Sequence, residues 1–254
     1  RFTNSVTGNS TIGFRVVYNI PPPPKITHLD MMKDLVPVGD PNNTADTSGT
    51  PGGPRFGSVP TAYQIEKYDV TAEQYCMFLN AVATHADPHA LYNPQMETNS
   101  DVACIKRYGN TNRGYSYFTI PGREKFPITY VNYFATLRFC NWLENDQHVG
   151  DESPETTESG SFIRDDQGTF NIATNNPKWL LPTENQWYKA AYYQPAKDES
   201  SALYYSFGTG SYDPPVNSLS TMSNSANYCL NSVFTTPTQP RLTAVGTFTK
   251  TTSP

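Results

Sequence analysis

The chain has 254 residues and a formal net charge of −5, with 37% hydrophobic and only 16% charged residues, 22 prolines and 17 tyrosines. The acidic balance, without a basic stripe or interleaved aromatics, argues against a nucleic-acid surface, and no apolar run of about 18 residues is present to form a membrane-spanning helix. The length suffices for one sizeable core, and the aromatic-rich, charge-poor composition reads as a loop-rich, secreted or cell-surface protein rather than a disordered one.

In chain order, a turn-rich start leads into a compact strand of Ile12, Gly13, Phe14, Arg15, Val16 and Val17. Residues 18–34 contain the run Pro21 to Pro24, which favours polyproline II and removes ladder donors, so they read as a linker between an arm, residues 1–17, and a domain, residues 35–254. Residues 35–40, LVPVGD, predict the first strand of that domain; residues 41–60, rich in Gly and Pro, predict a surface loop, and residues 63–70 a second strand. Asn9 and Asn42 each open an N-x-[ST] acceptor pattern.

Three helices follow. In YDVTAEQYCMFLNAVA, residues 68–83, Thr71 and Gln74 are spaced as a capping box, and Tyr75, Phe78, Leu79 and Val82 form an apolar stripe. In PITYVNYFATLRFCNWL, residues 127–143, a β-like run precedes an Asn132 cap and a helix carrying Phe134, Leu137, Cys140 and Trp142 or Leu143. In WLLPTENQWYKAAYY, residues 179–193, Thr183 and Gln186 repeat the capping box, Pro182 and Trp187 sit at the staple positions, and Trp187, Ala190 and Ala191 share a face expected to be buried. Leu180 and Leu181 ahead of it read as a buried strand end.

Between the helices, His85 and His89 have the spacing of helical metal ligands, but Asp87 and Pro88 oppose a helix there, so a solvated loop is expected. Residues 91–96 and 105–120 predict loops and short strands, with Tyr108, Tyr115 and Tyr117 as a candidate contact surface for carbohydrate or protein. The acidic stretch at residues 151–166 lacks the EF-hand alternation and reads as a solvated loop. Residues 204–215 and 226–238 are strand and turn material. The cysteines, Cys76, Cys104, Cys140 and Cys229, contain no C-x-x-C pair; three disulfide connectivities are open, and Cys76 and Cys140 read as buried free thiols on helix faces.

The three helical blocks, in this order and at this separation, resemble the formylglycine-generating-enzyme (sulfatase-modifying factor) family, whose members carry Y-x-V-T-x-x-Q-Y-x-x-F-L, P-V-x-x-V-x-W-x-x-A-x-x-F-x-x-W-L and L-P-T-E-x-E-W. The resemblance runs from about Leu35 to Pro254 and implies an α+β, C-type-lectin-like fold. It implies that Ile12 to Val17 correspond to the strand with which such domains normally end, displaced here to the start, where it would complete a sheet in cis or in a neighbouring copy. Asn227 and Tyr228 resemble the segment that supplies calcium ligands in the family's enzymes, although the acidic partner expected after them is missing, since residues 229–250 contain no Asp or Glu. Ala135 replaces the usual acidic residue of the second block. The oxidising members place their cysteines after an N-x-W-E-W motif and within an R-G-G-S region, a context that none of the four cysteines has, and the chain stops at Pro254 where that segment would begin.

These readings give a non-catalytic extracellular structural or binding module without a cofactor of its own, calcium excepted. Its expected partners are other copies of itself, as in a surface or filament assembly, or a neighbouring surface protein. The alternatives are a carbohydrate- or protein-binding lectin-like module and a fragment of a formylglycine-generating oxidase.

Overall fold

The computed structural model describes residues 28–48, 53–174, 176–194, 204–219, 223–236 and 238–251. In chain order its elements are β1 (Leu35–Val38), β2 (Tyr63–Glu66), α1 (Ala72–Val82), α2 (Gln95–Thr98), β3 (Ile105–Asn110), β4 (Gly114–Thr119), α3 (Tyr133–Glu144), β5 (Phe162–Arg164), β6 (Phe170–Ile172), α4 (Glu184–Tyr192), β7 (Val216–Asn217), β8 (Ser225–Ala226), β9 (Cys229–Leu230) and β10 (Val233–Phe234). Among the described residues the strands form only two-stranded sheets: β1–β2, β3–β4, β5–β6 and β9–β10 antiparallel, β7–β8 parallel. The architecture is therefore mixed α+β and rich in loops. Residues 1–27 lie outside the described residues, and with them the expected arm strand, most of the linker and the Asn9 acceptor pattern.

α1 starts where its sequence requires. The Thr71 hydroxyl accepts from the Gln74 N–H, and the Gln74 side chain accepts from the Thr71 N–H at 2.7 Å, so two otherwise orphaned donors are paired. Its stripe of Tyr75, Phe78, Leu79 and Val82 is buried and meets α3, whose Asn132 cap accepts from the Ala135 N–H at 2.9 Å. At this junction Phe78 stands edge-on to Phe139, with centroids 5.3 Å apart, and tilts against Trp142 at 5.2 Å. Trp142 and Leu137 are fully buried. Phe134, expected in the same stripe, is half exposed, because it lies in the first turn and reaches sideways to Phe170 of β6 rather than into the core.

Backbone groups that such short sheets leave unpaired are taken up by side-chain amides acting as strand surrogates. Asn80 of α1 donates to Tyr117 O at 2.8 Å and accepts from Tyr117 N at 3.1 Å, which fastens β4 to the helix. Asn141 of α3 does the same for β5, accepting from Phe162 N at 2.7 Å and donating to Phe162 O at 2.9 Å and Thr157 O at 2.7 Å. Gln147 accepts from Leu29 N and donates to Leu29 O at 2.6 and 2.8 Å. Together with Met31, which is buried in the core cluster, this last pair shows the fold beginning before Leu35, so the end of the expected linker belongs to the domain.

α4 repeats the capping box of α1, with Thr183 and Gln186, yet presents a different face. Trp187 is 53% exposed, and Leu180 and Leu181 are exposed and form no strand, contrary to the sequence expectation. The reason is the surface α4 meets, which is the polar loop after β1 rather than the aromatic core. Lys189 is 1% exposed and donates to Gly39 O and Asp40 O, each at 2.7 Å. Tyr188 donates to Asp46 at 2.6 Å, Asn185 accepts from Gly57 N at 2.9 Å, and Tyr193 is hydrogen-bonded to Asp40. Asn185, Tyr188, Lys189 and Tyr192 share the inward face, and Trp187 is turned outward by the same helical period.

The predicted first and second strands are present but shorter, ending at Val38 and Glu66, and Asn42 is exposed with a left-handed φ of 64°. All four cysteines are free; Cys76 and Cys104 are buried, Cys140 is partly exposed and Cys229 exposed. Residues 151–166 are the expected solvated loop only in part, with Asp151, Glu155, Asp165 and Asp166 exposed and the middle folded against the domain. Thr156, Thr157 and Ser161 are buried, and the Glu152 side chain has no exposed surface.

Candidate functional site

The β3–β4 hairpin and the loop after α1 build an open cleft of about 380 Å³. β3 and β4 pair from Ile105↔Thr119 to Asn110↔Gly114, which puts Arg107, Tyr115 and Tyr117 on one face and Tyr108 and Phe118 on the other. Gly109 sits at the hairpin end with φ +101°, where a Cβ would lie 2.1 Å from Gly114 O, so only glycine allows this close approach. Arg107 projects between two tyrosine rings, its guanidinium 4.5 Å from the Tyr92 centroid and 4.6 Å from that of Tyr115, both distances within cation–π range. Glu97 of α2 closes one side: it accepts from the Tyr92 hydroxyl at 3.2 Å and from the Arg107 N–H at 3.4 Å. Burial, then the nearby Glu97 carboxylate, pushes the Tyr92 hydroxyl up to about 12, so at neutral pH it serves as a hydrogen-bond donor.

This divides the three tyrosines proposed from the sequence. Tyr115 lines the cleft, and Arg107, Tyr92 and Glu97, which the sequence reading did not single out, join it. Tyr117 is fully buried beneath, donating to Ala83 O at 3.0 Å, and Tyr108 packs edge-on against Phe118 on the opposite face, so neither belongs to a common surface with Tyr115.

A second polar assembly forms where the loop carrying His89 meets residues 152–158. His89 Nδ1 lies 2.7 Å from Glu152 Oε2 and 3.7 Å from Glu158 Oε1. Glu158 is clamped by the buried Arg138 of α3, from Nε at 2.5 Å and Nη2 at 2.8 Å, and receives the Thr157 hydroxyl at 2.9 Å. Asp87 shapes the loop by accepting from Leu91 N at 2.7 Å and Tyr92 N at 3.0 Å. Burial and then the Asp87 charge push Glu152 up to about 8, while burial and then Arg138 hold His89 below its ordinary value. Glu158 is held low: burial works to raise it, and the Arg138 hydrogen bonds and charge overcome that. His89 is therefore not in the solvated loop expected of it. His85 is, with an exposed contact to Asp151.

The calcium candidates are occupied by structural bonds. Asn227 donates to Arg241 O at 2.9 Å and Tyr228 to Pro215 O at 2.6 Å, which ties the β8–β9 region to neighbouring loops. Three of the four thiols are similarly quiet: burial pushes Cys76 and Cys140 up to about 12 and Cys104 up to about 11. Among the described residues no helix is long and apolar enough to cross a membrane.

A search of curated proteins and a search of solved structures each returned no match. Among protein-family models, the sulfatase-modifying factor enzyme 1-like domain matches residues 33–248, which takes in both capping boxes, the α1–α3 core and the Arg107 cleft. The chain therefore belongs to the formylglycine-generating-enzyme/sulfatase-modifying-factor family.

Proposed function

We propose that this chain is a non-catalytic extracellular module of C-type-lectin-like fold, whose cleft between Arg107, Tyr115 and Glu97 binds a polar ligand of the saccharide type. The observation that carries this reading is the guanidinium held between two tyrosine rings at the wall of an open cleft, with Glu97, Thr98 and Asn110 supplying further polar groups around it. A small set of fixed polar groups beside an aromatic ring is how a protein orients a hydroxyl-rich ligand. Arg107 makes no ion pair with a carboxylate among the described residues; its guanidinium is fixed by the Tyr92 and Tyr115 rings and by a hydrogen bond to the Tyr117 side chain, so its positive charge is held in place at the cleft wall. The thiols support the non-catalytic part, because nucleophilic or copper-binding cysteines must be thiolates and burial disfavours that form of Cys76, Cys104 and Cys140.

A glycan array probed with the purified chain and with Arg107→Ala tests the cleft. Specific binding lost in the variant is expected; binding unchanged by the substitution would remove the cleft from the reading. In parallel, a copper-supplemented reaction with a sulfatase-type cysteine peptide should yield no formylglycine by mass spectrometry, and turnover would overturn the non-enzymatic assignment.

Assembly is the second reading, favoured by apolar side chains left outside the core: Tyr133 and Phe134 at the start of α3, Ile172 of β6 and Trp187 of α4 are each at least half exposed. Sedimentation would separate the two readings, since an assembling chain shows a concentration-dependent oligomer weakened by Phe134→Ser or Trp187→Ser.

A further inference from the structure

The polar assembly around His89 carries more than a structural role. Three donor atoms, one each from His89, Glu152 and Glu158, lie within 4.8 Å of one another. Two of the separations, 2.7 and 3.7 Å from His89 Nδ1, bracket the roughly 3.4 Å that separates neighbouring ligands of a tetrahedral zinc ion bonded at about 2.0–2.1 Å. The other oxygen of Glu152, Oε1, is buried and receives no N–H or O–H, and the Glu152 side chain lies within hydrogen-bond reach of the Asp87 carboxyl. Two carboxyls brought together away from water must share either a proton or a cation, and a divalent ion that displaces the proton satisfies both. The charge balance agrees: Asp87, Glu152 and Glu158 converge here against Arg138, with Arg164 farther along the same segment.

We propose that His89, Glu152 and Glu158 form a binding site for a single divalent cation of the zinc type. An imidazole nitrogen with two carboxylates is a borderline donor set, which suits Zn²⁺ better than Ca²⁺, whose sites assemble six to eight oxygens. Arg138 and Thr157 hold the Glu158 carboxylate in orientation, the role that outer partners play around metal ligands. Three protein donors leave a fourth position for water. The donors come from two segments that meet only in the folded chain, so the ion would pin the loop after α1 to residues 152–158, and it acts independently of the Arg107 cleft.

Isothermal titration of the chelator-stripped chain with zinc chloride tests this, in a Cys229→Ser background that removes the exposed thiol. One equivalent should bind, with at least a tenfold loss of affinity in both Glu152→Gln and His89→Gln and no change in His85→Gln, which alters only the exposed neighbouring histidine. Absence of stoichiometric binding, or zinc retained in both variants, overturns the proposal. Should either variant fail to fold by circular dichroism, X-ray absorption of the zinc-loaded parent chain decides: a shell of nitrogen and oxygen with one imidazole supports the site, and sulfur in the shell overturns it.

Discussion

At the scale of single residues, the two tryptophans of the helical blocks part company: Trp142 is buried, as its helical stripe suggests, and Trp187 is not. Trp142 is fully buried against Phe78 and Phe139 and donates from Nε1 to His148 O at 3.1 Å, so Trp142→Ala empties a large aromatic site and strands a carbonyl. It should cost about 3–5 kcal/mol in urea unfolding, the range for aromatic truncation in a core. Trp187, more than half exposed, touches chiefly Tyr192, and Trp187→Ala should cost less than about 1 kcal/mol. Equal losses from the two substitutions would mean that the outward face of α4 is covered in solution. Lys189 makes the complementary point, since a lysine in a helix motif reads as surface, yet here its ammonium is the group that docks the helix.

At the scale of elements, stability depends on how helices hold chain that does not itself form extended sheet. α3 carries Asn141, whose amide replaces three backbone partners of residues 157–162. Gly160 is closely approached there, a Cβ falling 3.0 Å from Asn141 Cα, so the segment is laid directly on the helix. Asn141→Ala leaves two carbonyls and one N–H without partners in a buried place and should lower stability by about 3 kcal/mol, since each unsatisfied group costs roughly 1–3 kcal/mol and helix propensity returns only tenths. A loss under about 1 kcal/mol by chemical denaturation would show that water takes over these bonds. Because Glu152 and Glu158 ride on the same segment, this variant should also weaken zinc binding.

At the scale of the whole molecule, two carboxyls set a pH dependence. Glu66 is pushed up to about 7 by burial and then by Asp34 and Asp69, and Glu152 to about 8, from an ordinary 4.5. Folded chains thus keep protons that unfolded chains have lost, so the stability these groups contribute is complete below about pH 4.5 and is lost as pH rises through 7 to 8. His89, held below its ordinary 6.5, works in the opposite sense up to that pH, so the fall is steepest above it. In chelator, the unfolding midpoint should decline from pH 6.5 to 8, and Glu66→Gln should flatten the lower part of that decline; a midpoint that rises across the interval contradicts the assignment. The sequence by itself determined the three long helices and their caps, though not the short α2, because a capping box and an i, i+3, i+4 stripe are local and are satisfied within a few residues whatever the rest of the chain does. It likewise determined the core of α1 and α3 and the family. Which face of α4 turns inward was decided by tertiary structure, since Trp187 and Lys189 exchange their usual places only when the loop after β1 offers carbonyls instead of aromatics. The Arg107 cleft and the His89 cluster were decided there too: Tyr92, in the loop before α2, meets Arg107 of β3, and His89 meets Glu152 and Glu158 across more than sixty residues, separations that no local spacing encodes.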